Sequence, residues 1–92
     1  MNTLHQVLFV LKKFFTYVLR SQKTIKHYYG SCNDLNKRLA DHNYGRVRFT
    51  KPFRPWAIHY FEEFESKSEA LKRESFFKSI DGHLWLKSNN II

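Results

Sequence analysis

Glu74 is the residue that folding alone explains least. On a helix running through Ala70, it projects about 40° from that alanine, with Leu71 and Phe77 to either side, so a carboxylate falls in the apolar stripe. A carboxylate placed there needs compensation, because its desolvation is costly when it is unpaired. An ion pair with Arg38, Lys78 or another base would supply it, and so would an outward rotation of the helix. A third solution is a divalent cation, which takes oxygen donors. Arg38 stands in a second helical segment, where Asp34, Arg38 and His42 recur at i, i+4 and i+8 beside the stripe of Leu35 and Leu39. Asp34 and Arg38 read as a surface ion pair worth a few tenths of a kcal/mol, roughly. Alternatively, Arg38 offers its fork of donors to a phosphate and His42 adds a second contact. Tyr17 and Tyr28 fall on two consecutive strand-like segments next to Gly30, either as core rings with hydroxyls at the rim or as groups facing a substrate.

Other chemistry is poorly supported. There is no Walker loop, dinucleotide glycine fingerprint, zinc-finger spacing or His-Glu-x-x-His pair, and five scattered histidines make no evident metal cluster. Cys32 reads as a small buried thiol rather than as the nucleophile of a Cys–His pair with His42. As the only cysteine it offers no disulfide framework, which agrees with a reducing, cytoplasmic setting.

Composition narrows the partner. Sixteen Lys/Arg against eight Asp/Glu leave a net charge of +8, which favours a phosphate-bearing partner. An apolar fraction of 42% and an aromatic fraction of 17% are too high for a disordered basic tail, and 92 residues allow one core. Arg46, Arg48, Lys51 and Arg54 fall in a segment closed by Pro52 and Pro55, which reads as an exposed basic loop. The uninterrupted apolar run Val7–Leu11 is too short to span a bilayer, and Lys12 and Lys13 interrupt what would be a signal sequence. No export and no membrane partner are therefore expected; an amphipathic targeting segment is the less favoured reading.

The elements that must position these residues follow from local pattern. Residues 1–14 read as an extension, with a helix expected over Leu4–Lys13, and residues 15–92 as the domain. Phe15–Leu19 and Ile25–Tyr29 read as strands of a hairpin that Gly30 ends. Asn33 is the expected cap of a helix from Asp34 to His42, stopped by Asn43-Tyr44-Gly45. Trp56–Phe64 reads as a third strand, with Trp56, Ile58 and Tyr60 sharing one side. Ser66-Lys67-Ser68-Glu69 is a capping box that opens a helix to about Ser79. Ile80-Asp81-Gly82 reads as a break before a last short helix around Leu84–Leu86, and Asn89–Ile92 as a frayed end. The resulting fold class is α/β (α+β): a small, three-stranded, mainly antiparallel sheet flanked by helices.

In this order the residues resemble the GIY-YIG nuclease domain, and in particular its small single-domain bacterial URI-like (UPF0213-like) members. Phe15-Thr16-Tyr17 stands where the first triplet would be and Tyr28-Tyr29-Gly30 where the second would be. The stretch Gly30–Leu39, then His42-Asn43 and Gly45, resembles the family's glycine, capped helix, arginine and His-Asn segment. Arg54-Pro55-Trp56 resembles the entry to the third strand, and Glu69–Glu74 with Lys78 the helix bearing the metal-binding glutamate. The first triplet lacks its glycine, Tyr29 replaces isoleucine, and Cys32 stands where a small hydroxyl residue is frequent. None of these departures removes a chemical group.

The resemblance implies metal-dependent hydrolysis of a DNA phosphodiester, with Glu74 holding Mg²⁺ or Mn²⁺ and Arg38 stabilising charge on the phosphate. Tyr17 is the preferred general base and Tyr28 the positioning group. A phenol of pKa near 10 is a weak base at neutral pH, so His42, unperturbed near 6.5, is its rival or its partner in the task. Lys23, Lys26, Arg46, Arg48, Lys51 and Arg54 would contact the nucleic-acid backbone, fixing position but not sequence. Branched or single-stranded DNA is the expected substrate, with RNA an alternative, and the N-terminal extension could join two copies. The competing reading is a noncatalytic nucleic-acid-binding module that retains the nuclease fold. Another is a basic partner protein whose aromatics are all core. The nuclease reading requires Glu74, Arg38 and both tyrosines to gather around room for one phosphate and its metal.

Overall fold

A computed structural model describes residues 12–92. The element order is β1 (Phe14–Ser21), β2 (His27–Cys32), α1 (Leu35–Asn43), a short 3-10 turn (Lys51–Phe53), β3 (Trp56–Phe64), α2 (Lys67–Phe77) and α3 (Ile80–Ser88). The expected helix over Leu4–Lys13 lies almost wholly outside the described residues. The three strands form one antiparallel sheet in the order β2-β1-β3. This is the expected α+β class.

Strand β1 is central, and helices cover both of its faces. That is why Thr16, Tyr17, Val18 and Leu19 are all buried, without the alternation of a half-exposed strand. On one face Tyr17, Leu19 and Trp56 pack with Leu35 and Leu39 of α1. On the other, Val18, Phe77 and Leu86 form a second cluster with Tyr29, Tyr60 and Trp85. Thr16 is buried on the α2 side and donates its hydroxyl to the Ala70 carbonyl at 2.7 Å, which satisfies a group otherwise costly to bury.

Several local expectations change. Strand β2 starts at His27 rather than Ile25 and continues through Gly30 to Cys32, because Gly30 pairs with Tyr17 and Cys32 with Phe15. Asp34, not Asn33, caps α1, and its carboxylate accepts from the Lys37 N–H at 3.0 Å. Val18 faces Tyr60 and Leu19 faces Ile58, so the ladder is irregular at His59, and this bulge turns Tyr60 to the Val18 face, away from Trp56 and Ile58. The helix break lies at Lys78-Ser79, with Ser79 capping α3. Gly82 sits inside α3, where a Cβ would collide with the Phe76 carbonyl; α2 and α3 can cross this closely only there. The C-terminus is not frayed: the Ile91 N–H donates to Leu86 O at 2.9 Å, and Ile91 and Ile92 pack on the second cluster.

Candidate active site

Strand pairing brings Tyr17 opposite Gly30, and the tyrosine ring lies across the glycine. A Cβ at residue 30 would fall 2.5 Å from Tyr17 Cζ and would also meet the hydroxyl, so the space is reserved for the phenol. Two residues earlier on the same face of β2 is Tyr28, with its ring centroid 6.5 Å from that of Tyr17. Helix α1 then supplies two groups one turn apart. Arg38 Nε donates to the Tyr17 hydroxyl at 3.4 Å, and His42 Nε2 lies 3.1 Å from the same oxygen. The His42 ring is also 4.9 Å from the ring of Tyr28.

The proton positions follow from the partners. The Tyr17 hydroxyl accepts from Arg38 Nε and has His42 Nε2 as its partner for donation, which assigns His42 the Nδ1–H tautomer, with Nδ1–H donating to Thr50 Oγ1 at 2.8 Å. Nε2 is then the acceptor, and the Tyr17 hydroxyl donates to it. A single directed chain results: Arg38 to Tyr17 to His42 to Thr50 to the Val47 carbonyl. Burial pushes the Tyr17 phenol up to about 12, with Arg38 opposing the rise. Burial likewise drives His42 down to about 4, and the Arg38 charge acts in the same direction. The hydrogen bond that Arg38 donates to Tyr17, with the nearby phenols and Asp41, raises the guanidinium above its ordinary value despite burial. In the substrate-free chain the proton therefore rests on Tyr17, and His42 is neutral.

Glu74 does not join this cluster. Thr16 and Ser31 pair across β1 and β2, and both turn to the α2 side, opposite Tyr28, Gly30 and Cys32. There Ser31 donates to Glu74 Oε1 at 2.7 Å and Lys78 Nζ holds Oε2 at 2.7 Å. The ion pair that the sequence offered as compensation is thus made with Lys78, one turn on, rather than with Arg38. Arg38 instead lies 3.8 Å from Asp41, while Asp34 serves as the cap. Glu74 and Tyr17 nevertheless engage consecutive residues of one edge strand, Ser31 and Gly30. A cleft of about 430 Å³ at the end of β2 is lined from both faces, by Ser31 and Ala70 as well as Cys32, with Lys12 and Lys67 adding positive charge.

Divalent-metal chemistry fits this donor set in one form. Among the described residues no group of three or more His, Cys, Asp or Glu side chains could enclose an ion. A single carboxylate completed by water and substrate phosphate is, however, the coordination Mg²⁺ commonly accepts. The Glu74 side chain keeps 21% of its surface exposed, and each oxygen retains acceptor capacity beyond its present bond.

The basic residues form a separate surface. Lys23, Lys51 and Arg54 line a shallow groove of about 600 Å³ with Asn43, Pro52 and Pro55, and no site tyrosine reaches it. Lys26 lies 4.9 Å above the ring of Phe53, Arg46 pairs with Asp41 at 2.8 Å, and Arg48 is exposed. The loop is pinned rather than loose. The Trp56 indole N–H donates to Thr50 O at 2.8 Å, and the Asn43 amide makes reciprocal hydrogen bonds with the Trp56 backbone. Sequence reasoning missed Ser31, which orients Glu74, and Thr50, which accepts from His42 Nδ1–H; small hydroxyl residues carry no local signal of such roles.

The antiparallel sheet thus carries a Tyr–Tyr–Arg–His cluster on one face, with a glutamate reaching the same edge strand from the other. The GIY-YIG catalytic domain model matches residues 13–83, and the chain belongs to that family. Its relatives include UPF0213 proteins. It is 42% identical over 67 residues to one from Listeria welshimeri, covering 72% of this chain and 73% of that protein. It is also 42% identical over 69 residues to one from Streptococcus pyogenes, covering 73% of each. The solution NMR structure of a UPF0213 protein from Bacillus halodurans resembles it with a TM-score of 0.49 at 25% identity, over 83% of each chain.

Proposed function

We propose that the protein is a divalent-metal-dependent endonuclease that hydrolyses DNA phosphodiester bonds at the β2 edge. The observation that carries this reading is the directed chain from Arg38 through Tyr17 to His42 and Thr50, in which three polar side chains orient one phenol. Arg38, partly exposed, takes a non-bridging oxygen of the phosphate and stabilises the charge that grows on it. Half-buried Tyr28 positions the attacking water or the phosphate. Tyr17 accepts the proton from that water while passing its own to His42. Neither group is ready for this alone, since one lies near 12 and the other near 4. A phosphate paired with Arg38 offsets the charge that lowers both groups, so substrate binding raises Tyr17 and His42 alike and makes His42 the readier proton acceptor. Glu74 would hold Mg²⁺ or Mn²⁺, which would supply positive charge against the negative charge developing on the phosphate. Lys23, Lys26, Arg46, Arg48, Lys51 and Arg54 contact the backbone, and a cytoplasmic setting suits the unpaired Cys32.

A second reading, a nucleic-acid-binding module without hydrolysis, is favoured by one feature: both Glu74 oxygens are already occupied, by Ser31 and Lys78, on the sheet face away from Arg38. One experiment separates the two. Labelled duplex, single-stranded and branched DNA is incubated with the protein and Mg²⁺ or Mn²⁺, next to Glu74→Gln and Arg38→Ala. Endonuclease action predicts metal-dependent products from the unaltered chain and none from either variant. Salt-sensitive binding without products would leave the binding module.

A further inference from the structure

We propose that Phe49 is a base-stacking residue that selects an unpaired polynucleotide strand, a specificity that rests on the nucleic-acid reading of the neighbouring site. Phe49 is a phenylalanine with 66% of its surface exposed, on a loop that is otherwise tied down. The next residue, Thr50, is fully buried and bonded to His42, Val47 and Trp56, so the loop presents the ring outward from a fixed base. The ring is exposed beside two further aromatics, Tyr28 and Phe53, and a contiguous apolar patch of that kind commonly marks a binding site.

Position gives the exposed ring a role. Its centroid lies 6.1 Å from that of Tyr28 and 6.5 Å from that of Phe53, so a row of three aromatics runs outward from the candidate active site. Lys26 sits over the far end of the row, 4.9 Å from the Phe53 centroid. From Tyr44 to Trp56 the chain carries Arg46, Arg48, Lys51 and Arg54 and no acidic residue. An aromatic platform interleaved with cations is the arrangement that holds single strands: bases stack on rings while the backbone follows the positive charge. Bases within a duplex stack on one another and offer side chains only groove edges, so the ring has nothing to grip there. A phosphate at Arg38 and Tyr28 would place an adjoining unpaired base within reach of Phe49.

The test measures binding without divalent metal, where hydrolysis plays no part. Fluorescence anisotropy compares a labelled single-stranded oligonucleotide with a duplex of equal length, for the unaltered chain, Phe49→Ala, Phe49→Leu and Phe49→Trp. A 2-aminopurine base in the single strand reports stacking by its quenching. Phe49→Ala and Phe49→Leu are expected to weaken single-strand binding by about fivefold or more, leave duplex binding within about twofold, and abolish the quenching. Phe49→Trp restores all three. Equal losses on both substrates, an unchanged single-strand affinity, or a leucine that performs as well as the aromatic would overturn the proposal and leave the ring as a protein-docking contact. Cleavage by the unaltered chain, assayed separately with Mg²⁺, decides the nuclease reading: stacking without cleavage preserves Phe49 and removes the enzyme, and cleavage without stacking does the reverse.

Discussion

Tyr17 and Glu74 approach the same edge strand from opposite faces, one laid across Gly30 and the other hydrogen-bonded to Ser31, so one peptide unit of β2 separates their anchor points. β2 is an edge strand, so a polynucleotide lying along it could meet the two groups only at different points of its backbone. The expected gathering of Glu74 with Arg38 and both tyrosines around one phosphate is not found: the strand stands between them, which counts against a single hydrolytic centre. The proposed hydrolysis would depend on Glu74 being held at the rim by its bonds to Ser31 and Lys78.

Replacing Glu74 with Gln keeps its size and its acceptor for Ser31 but removes the charge. Metal-dependent cleavage should fall by at least about 100-fold while DNA affinity without metal stays within about twofold. Ser31→Ala, which frees the carboxylate without removing it, should cost less. Steady cleavage by Glu74→Gln at the rate of the unaltered chain would refute the metal role.

Arg38→Ala should shift a titration as well as a rate. Arg38 lowers both Tyr17 and His42, so its removal raises the pKa of each, moving His42 upward from about 4. NMR titration of the imidazole measures this in the absence of substrate, and a fixed His42 value would show that the two do not interact. Cleavage should fall by about 100-fold or more, and Arg38→Lys should not rescue it fully, because an ammonium lacks the planar fork.

His42 also makes stability depend on pH. Its folded pKa is near 4, against 6.5 for the ordinary side chain, so between these values the unfolded chain binds more protons than the folded one. The stabilisation is full above pH 6.5 and is lost as pH falls through about 4, amounting to roughly 3 kcal/mol for this residue. His27 is depressed as well, by burial and by His59, and adds in the same direction. Urea unfolding at pH 7.5 and pH 4.5 should show a smaller difference for His42→Gln than for the unaltered chain. Equal differences would place the proton uptake elsewhere.

Gly30→Ala should damage site and fold together. The added methyl group meets the Tyr17 ring and hydroxyl, neither of which can yield without disturbing Arg38 and His42. A loss of about 1–3 kcal/mol is expected, as for overpacking in a core. Tyr17→Phe in the same chain should recover little of it, since Cζ collides too. A Gly30→Ala protein with unaltered unfolding and cleavage would contradict the close approach.

On the α2 face, Arg73 lies over Trp85 at 4.4 Å and over the Phe76 and Phe77 rings, while its Nε donates to Glu62 at 2.7 Å. Both partners are half-buried, so the contact exceeds a surface ion pair. Arg73→Ala should lower stability by about 1–3 kcal/mol, through lost cation–π contact and an under-compensated Glu62. Thermal unfolding checks this, and a change under about 0.5 kcal/mol would make the pair ornamental.

What the chain declared by itself was everything encoded over a few residues. The aromatic and β-branched runs specified strands, Ser66 with Glu69 specified a helix start, and the ordered spacing of Tyr17, Tyr28, Arg38, His42 and Glu74 pointed to the family. Local pattern could not yield the bulge that turns Tyr60, the course of β2 through Gly30, or the sheet face that receives Glu74, because each depends on pairing between distant segments. Thr50 and Ser31 were silent for the same reason: a hydroxyl gains its role only when folding brings it to a histidine or a carboxylate. The cluster around Tyr17 was thus predictable as a set of chemical types, whereas its proton direction and its separation from Glu74 by one strand were decided by tertiary packing alone.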